Sequence, residues 1–272
     1  MLEKTYQETI LEATKYVVNN ALLQAELPSP NRIVADVLEM SRNEILLHNS
    51  YGTSGLEWRT STELVAFQIG YILLHLHKVV LIGLTDTTRD KMPIGIYMSD
   101  GEDAGIYVTD KVQIRKIARQ YKLTLNKKEF EEILDVLREE APIVQPCQDK
   151  NLVAVNNGIF NRKTKTLNSF TPDLVFVSKL RINYNPYARN TLIYDSMSNT
   201  DWNVESWMLY IANNDKEVAN LFWQVLGAVV RPNCFENYIC FLHSDHQNCQ
   251  KEMFCKLIQN LVGKLYDFDL SV

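Results

Sequence analysis

The sequence predicts an α+β protein, predominantly helical, with a small hairpin-rich β insert and a terminal, incomplete strand–loop–helix unit. Three observations carry this. Apolar residues recur at helical spacing through much of the first 140 positions and again after Asp201. Short alternating runs broken by Gly- and Asn-containing turns lie near 95–110 and 152–184. An apolar run, Tyr238–Leu242, precedes a polar loop and an amphipathic stretch ending at Gly263.

Tyr6, Ile10, Ala13, Val17 and Ala21 predict a helix over 2–25, broken by Leu27-Pro28-Ser29-Pro30. Ser29 can cap a second helix that starts at Pro30, where a missing N–H costs nothing, and reaches about His48. Residues 49–56 read as loop. Thr60 with Glu63 reads as a capping box opening a helix through Leu76. His75 and His77 sit on different faces of it, which argues for packing rather than shared metal ligation. Gly95–Asp100 is nearly repeated by Gly105–Asp110, a hairpin signal. Asp110 caps a helix through Gln120, and the Asn126/Glu129 capping box opens another to about Glu140. Hairpin plus helices resembles a winged-helix unit.

Pro142 and Pro146 flank an expected linker. Val153 and Val155 alternate before the turn Asn156-Asn157-Gly158, Asn161–Thr166 is a second turn, and Leu180, Ile182 and Tyr184 alternate as a further strand. From Asp201 the chain reads as helical, with Asp215 capping a helix over 216–230. Trp202, Trp207 and Trp223 are assigned to the core. The expected organisation is a helical region 1–90, hairpin plus helices 91–145, a module 150–235 and a terminal strand–helix unit 236–272.

At 46% hydrophobic and 22% charged, the 272-residue chain is globular, not disordered or fibrous. The start has no secretory pattern, and the most apolar stretch, Leu64–Leu84, carries Gln68, His75, His77 and Lys78, too polar for a bilayer span. Five cysteines (147, 234, 240, 249, 255) form no even framework, so reduced thiols and a cytoplasmic location are expected. Net charge is −5, but residues 111–189 carry 15 Lys+Arg against 8 Asp+Glu, leaving −12 for the rest. Residues 111–128 hold seven bases and no acid. A basic centre in an acidic chain points to nucleic acid, and the following run of Glu129, Glu131, Glu132 and Asp135 offers the competing reading of a solvated helical face.

The strand–loop–helix at the end has the layout of a phosphate-binding loop. Glycines there let backbone N–H groups cradle phosphate, Lys adds charge and Ser or Thr holds magnesium. Lys251 occupies the lysine position, but Gln250 and Asp245 stand where glycines belong and Glu252 where the hydroxyl belongs. Cys240, His243, His246 and Cys249 are evenly spaced ligand types for zinc, yet Cys240 falls in an expected buried strand, where a thiol packs as a small hydrophobe. Neither ATP with magnesium nor zinc is expected as a cofactor.

Several ordered motifs resemble the N-terminal and central part of phage and plasmid primase–helicases, the group related to the satellite-phage alpha protein, with poxvirus primase–helicases more distant. They are Gly105-Ile106-Tyr107-Val108, Leu152 to Asn161, Phe170-Thr171-Pro172-Asp173, Ser178-Lys179, Asn183-Tyr184-Asn185-Pro186, Trp202 to Trp207, Arg231-Pro232-Asn233 and Phe254 to Gly263. The resemblance implies a helical module with a β insert that precedes a superfamily-3 helicase ATPase and assists DNA engagement and ring assembly. The family loop is Gly-Asn-Asn-Gly-Lys, of which this chain keeps Asn248 and Lys251 as residual nucleotide-site positions. Only 21 residues follow Lys251, too few for the remaining ATPase strands and their acid.

The expectation is therefore a non-catalytic, replication-associated protein of a phage or mobile element that binds DNA, a partner helicase or both. Lys111, Arg115, Lys116, Arg119, Lys122, Arg162, Lys163, Lys165, Lys179 and Arg181 are its candidate phosphate contacts. A protein partner or self-association is expected through the C-terminal strand, whose edge lacks neighbours. Two alternatives stand beside it: an interaction factor that inhibits or redirects a host or rival replication or defence protein, and an ATP-dependent helicase fragment.

Overall fold

A computed structural model describes residues 4–51, 57–83, 88–197, 199–230, 242 and 251–262. It is mixed α+β, and its contacts divide it into two units, Met1–Pro146 and Cys147–Val272.

In the first unit, Thr5 and Glu8 cap each other reciprocally and start α1, Tyr6–Leu22. Ile10, Ala13, Val18 and Ala21 form its buried face. Helix α2, Pro30–Tyr51, begins at the expected proline and packs along α1. Helix α3, Ala66–Leu76, starts later than the Thr60/Glu63 box predicts, because Glu63 is drawn elsewhere. Its carboxylate takes an ion pair from Lys122 at 3.2 Å and a hydrogen bond from Thr124 at 3.0 Å. Instead, Gln68 Oε1 accepts from the N–H of Val65 at 3.2 Å, and Gln68 Nε2 donates to buried Thr14 Oγ1 at 3.0 Å. Helix α3 thus lies against α1 with its one buried amide satisfied.

Strands β1 (Val80–Ile82), β2 (Ile94–Tyr97) and β3 (Tyr107–Val108) are followed by helices α4 (Lys111–Ala118) and α5 (Lys127–Glu140) and by β4, Ile143–Val144. The sheet order is β3-β2-β1-β4. The expected hairpin is β2–β3, with Ile96 opposite Val108 and Tyr97 opposite Tyr107. Between the two prolines the chain is not a bare linker: Ile143 and Val144 pair parallel with Leu81 and Ile82, and the N–H groups of Leu81 and Gly83 donate to the carbonyls of Pro142 and Val144. Asp110 caps α4, and Asn126 with Glu129 forms the expected box on α5. The core joins α1–α3 to the inner faces of α4 and α5 through Ile72, Leu73, Ile114, Ile133 and Leu137. The Arg89 guanidinium closes the C-terminus of α5, donating to the carbonyls of Arg138, Glu139 and Ala141 at 2.6–2.8 Å.

The second unit opens with the meander β5 (Leu152–Val155), β6 (Gly158–Asn161) and β7 (Thr166–Asn168). Gly158 takes φ +149°, and a Cβ there would lie 2.4 Å from the carbonyl oxygen of Asn168. Asn161 Oδ1 accepts from the N–H groups of Lys163 and Thr164 and shapes the second turn. The expected strand 180–184 is reduced to one bridge beside β5, Val155 with Leu180. Two hydrogen bonds hold the segment there, from the Leu180 N–H to the Ala154 carbonyl and from the Asn156 N–H to the Ile182 carbonyl, each at 2.9 Å, while the Arg181 N–H faces away from β5 and donates to the Leu261 carbonyl at 2.9 Å.

Residues from Asp201 do not all join a helix. Strand β8 (Ile193–Asp195) pairs with β9 (Thr200–Trp202), and Asn203 then caps α6, Val204–Ile211, through a reciprocal pair with Ser206. Asp215 caps α7, Lys216–Val229, as expected. Helix α8 runs Lys251–Val262, and Met208, Leu226 and Phe254 form a small core between α6, α7 and α8. The expected strand 238–242 lies outside the described residues apart from Leu242, as do Asn248 and the set Cys240, His243, His246 and Cys249. Among the described residues no helix is long and apolar enough to cross a membrane, and no group of His, Cys, Asp or Glu side chains could hold a metal ion.

Candidate nucleic-acid interface

The basic run at 111–128 folds into α4, a turn and the start of α5, and the fold sorts its charges. Ile114, Ile117 and Ala118 face the core. That pattern sets Val112, Lys116 and Arg119 on the opposite, exposed stripe, with Lys111 exposed at the helix start. None of Lys111, Lys116 and Arg119 joins an ion pair with another described residue. Val112 is 72% exposed and Leu123, just past the helix, 82%, so the cations share this surface with apolar side chains.

Arg115 and Lys122 are committed to the fold. Arg115 is half-buried, donates to the Leu125 carbonyl at 3.3 Å and lies over the Phe130 ring at 5.7 Å. Lys122 keeps only 12% of its side chain exposed and contacts Glu129 at 2.7 Å, Glu63 at 3.2 Å and the Leu64 carbonyl at 3.4 Å. Burial pulls the Lys122 pKa down, but the hydrogen bonds the ammonium donates to Glu129 and Glu63 outweigh it and hold it above its ordinary value. Glu129 is lowered in turn, first by the bond from Lys122 and then by the Asn126 N–H. This triad fastens the approach to α3 onto the α4–α5 turn.

A second basic cluster belongs to the other unit. Lys163 and Lys165 are exposed on the β6–β7 turn beside half-buried Arg162. Lys165 takes φ +60° and lies 6.0 Å from the centroid of the Phe160 ring. Phe160 stacks on Tyr184 at 4.2 Å. Asn157 fixes Tyr184 from both sides: its Nδ2 donates to the Tyr184 carbonyl and its Oδ1 accepts the Tyr184 N–H, each at 2.9 Å. The Tyr184 hydroxyl donates to the Lys165 carbonyl at 3.2 Å. The motifs at 152–161 and 183–186 therefore meet in one aromatic-basic corner. Their separate positions in the sequence gave no sign of this contact. Lys179 is buried, 5.6 Å from the Phe170 ring centroid, and Arg181 is exposed next to the α8 terminus.

Two of the three tryptophans assigned to the core, Trp202 and Trp207, are only half-buried and line a groove, and Trp223 is exposed on α7. Trp207 still packs against the small core of Met208, Leu226 and Phe254, so of the three it is the one that joins that core in part.

These features define a mixed α+β chain with basic surfaces on both units and its most buried cations tied into packing. The chain belongs to the D5 N-terminal-like family, whose model matches residues 50–226, about two thirds of its length. That family is the N-terminal region of D5-like phage and plasmid primase–helicases, proteins of mobile-element replication. The match takes in α3 through most of α7 and both basic clusters. A search of curated proteins finds no match.

Proposed function

We propose that this chain is a non-catalytic, replication-associated module that holds nucleic acid by its phosphates and works beside a helicase. The observation that carries the reading is the sorting of the 111–128 run. Lys111, Lys116 and Arg119 face solvent without acidic partners among the described residues, while Arg115 and Lys122 serve the fold. Lys163 and Lys165 add a second contact beside ordered aromatic rings. Phosphate contacts of this kind position a protein on the strand without reading its sequence. The non-catalytic part rests on the sequence, in which Gln250 and Glu252 stand where a nucleotide phosphate and its magnesium require a glycine and a hydroxyl.

The test is fluorescence anisotropy with labelled single-stranded DNA of mixed sequence over a salt series. Five phosphate contacts predict a slope of log K against log salt of about −3.5. Binding indifferent to salt, or none at low salt, removes the nucleic-acid role.

A further inference from the structure

We propose that the β6–β7 corner of the second unit takes a single-stranded nucleic acid, with an unpaired base stacked on the Tyr187 ring and the neighbouring phosphates on Lys163 and Lys165. The inference rests on the nucleic-acid reading above and adds to it the form of the strand and a contact to a base.

The corner is built for a polyanion. From Asn151 to Tyr194 the chain carries six Lys and Arg and a single acid, Asp173. Lys163 and Lys165 are exposed on the turn, and neither joins an ion pair with another described residue. Lys165 also sits where a side chain is unfavourable. It is the last residue before Thr166, which pairs with Asn161, and its N–H donates to the Asn161 carbonyl at 2.8 Å. Its φ of +60° lies in the left-handed region that glycine or asparagine enters most easily. A lysine there forgoes the easier backbone and sets an ammonium on the turn. The Tyr184 hydroxyl, bonded to the Lys165 carbonyl, steadies it.

Just past Tyr184, Asn185-Pro186-Tyr187-Ala188 forms a stiff turn. The Asn185 carbonyl accepts the Ala188 N–H at 3.1 Å, Asn185 Oδ1 accepts the Tyr187 N–H at 2.9 Å, and Pro186 fixes φ between them. Tyr187 is 85% exposed, and its ring stacks on no other described ring. Three residues span at most about 11 Å, so Tyr187 belongs to the same corner as Tyr184 and the turn it anchors. A phenol ring held on a rigid turn offers a flat apolar face and loses little freedom on binding.

A single strand supplies both halves of the match, phosphates for the lysines and free base faces for the ring, and such stacking tolerates any sequence. A duplex keeps its bases stacked on one another. An acidic peptide satisfies the lysines and leaves Tyr187 unused.

The experiment is fluorescence anisotropy with labelled oligothymidylate and with an abasic strand of the same length and charge, on the native chain and on Tyr187→Ala and Tyr187→Phe. The native chain should bind the abasic strand about tenfold more weakly or worse. Tyr187→Ala should weaken thymidylate binding by about tenfold, narrow the gap between the strands and leave the salt slope unchanged, while Tyr187→Phe binds as the native chain does. Lys165→Gly, which suits the backbone, should instead make the slope shallower by about 0.7. Equal affinity of the native chain for the two strands, or thymidylate binding undiminished in Tyr187→Ala, overturns the stacking site and leaves the phosphate contacts standing. No binding of either strand at low salt removes both. The comparison of strands uses the native chain, so it decides the matter even where a variant fails to fold.

Discussion

Mild acid should destabilise the first unit through His77. This imidazole caps the end of α3 next to β1, with Nε2 hydrogen-bonded to the hydroxyl of Tyr121 at 2.8 Å. Burial pushes its pKa down to about 4 from 6.5, with Asp100 opposing the shift, and the same burial pushes Tyr121 up to about 12. The folded chain therefore holds His77 neutral, while the unfolded chain protonates it below about pH 6.5. Between those two values the unfolded state binds more protons, so stability is full above the unfolded pKa and falls as pH drops toward the folded one. Lowering the pH from about 7.5 to about 5 should cost about 2 kcal/mol from this group. Carboxylates contribute little over most of that window because they remain ionised. His75, lowered by burial and then by Lys78 and Lys15, adds a smaller slope of the same sign. Urea unfolding of the native chain and of His77→Gln, at matched pH values, reads the effect. The variant loses stability at neutral pH, but most of its pH slope should vanish. An undiminished slope in His77→Gln, or no slope in the native chain, refutes the reasoning.

Other consequences follow from single contacts. Lys122→Met breaks a nearly buried ammonium from Glu63, Glu129 and the Leu64 carbonyl. Urea unfolding should show a loss of about 1–3 kcal/mol, the lower part of the range applying because both carboxylates reach solvent, with DNA affinity unchanged. Gly158→Ala places a Cβ against the Asn168 carbonyl oxygen at a φ that side chains avoid, so thermal unfolding should reveal a loss of about 2 kcal/mol or more. Arg89→Ala uncovers three carbonyls at the end of α5, and hydrogen exchange should accelerate there and in β4, with a stability cost of about 1–3 kcal/mol.

Local chemistry was legible along the chain. Asp110, Asn126 with Glu129, and Asp215 cap the helices they were read to cap, because a cap depends on a few adjacent residues. The hairpins at 94–108 and 152–161 and the break at Pro30 were legible for the same reason. Contacts between distant residues were not. Ile143–Val144 reads as linker because two apolar residues between prolines carry no period, and only β1 makes them a strand. Glu63 has the spacing of a capping residue, but Lys122 and Thr124, about sixty residues away, claim it. The same limit applies to the basic run. Lys116 and Lys122 are equivalent in charge and composition, and only the position of Glu63 and Glu129 makes one a surface cation and the other an internal clasp. Tyr184 gained its place beside Lys165 through Asn157, a pairing across 27 positions.

Lysine acetylation footprinting, with and without bound single-stranded DNA, probes the sorted charges residue by residue. DNA should shield Lys111, Lys116, Lys163 and Lys165, while Lys122 and Lys179 stay poorly reactive in both states. Strong DNA binding that leaves those four lysines fully reactive would contradict the assignment of nucleic-acid contact to these two surfaces.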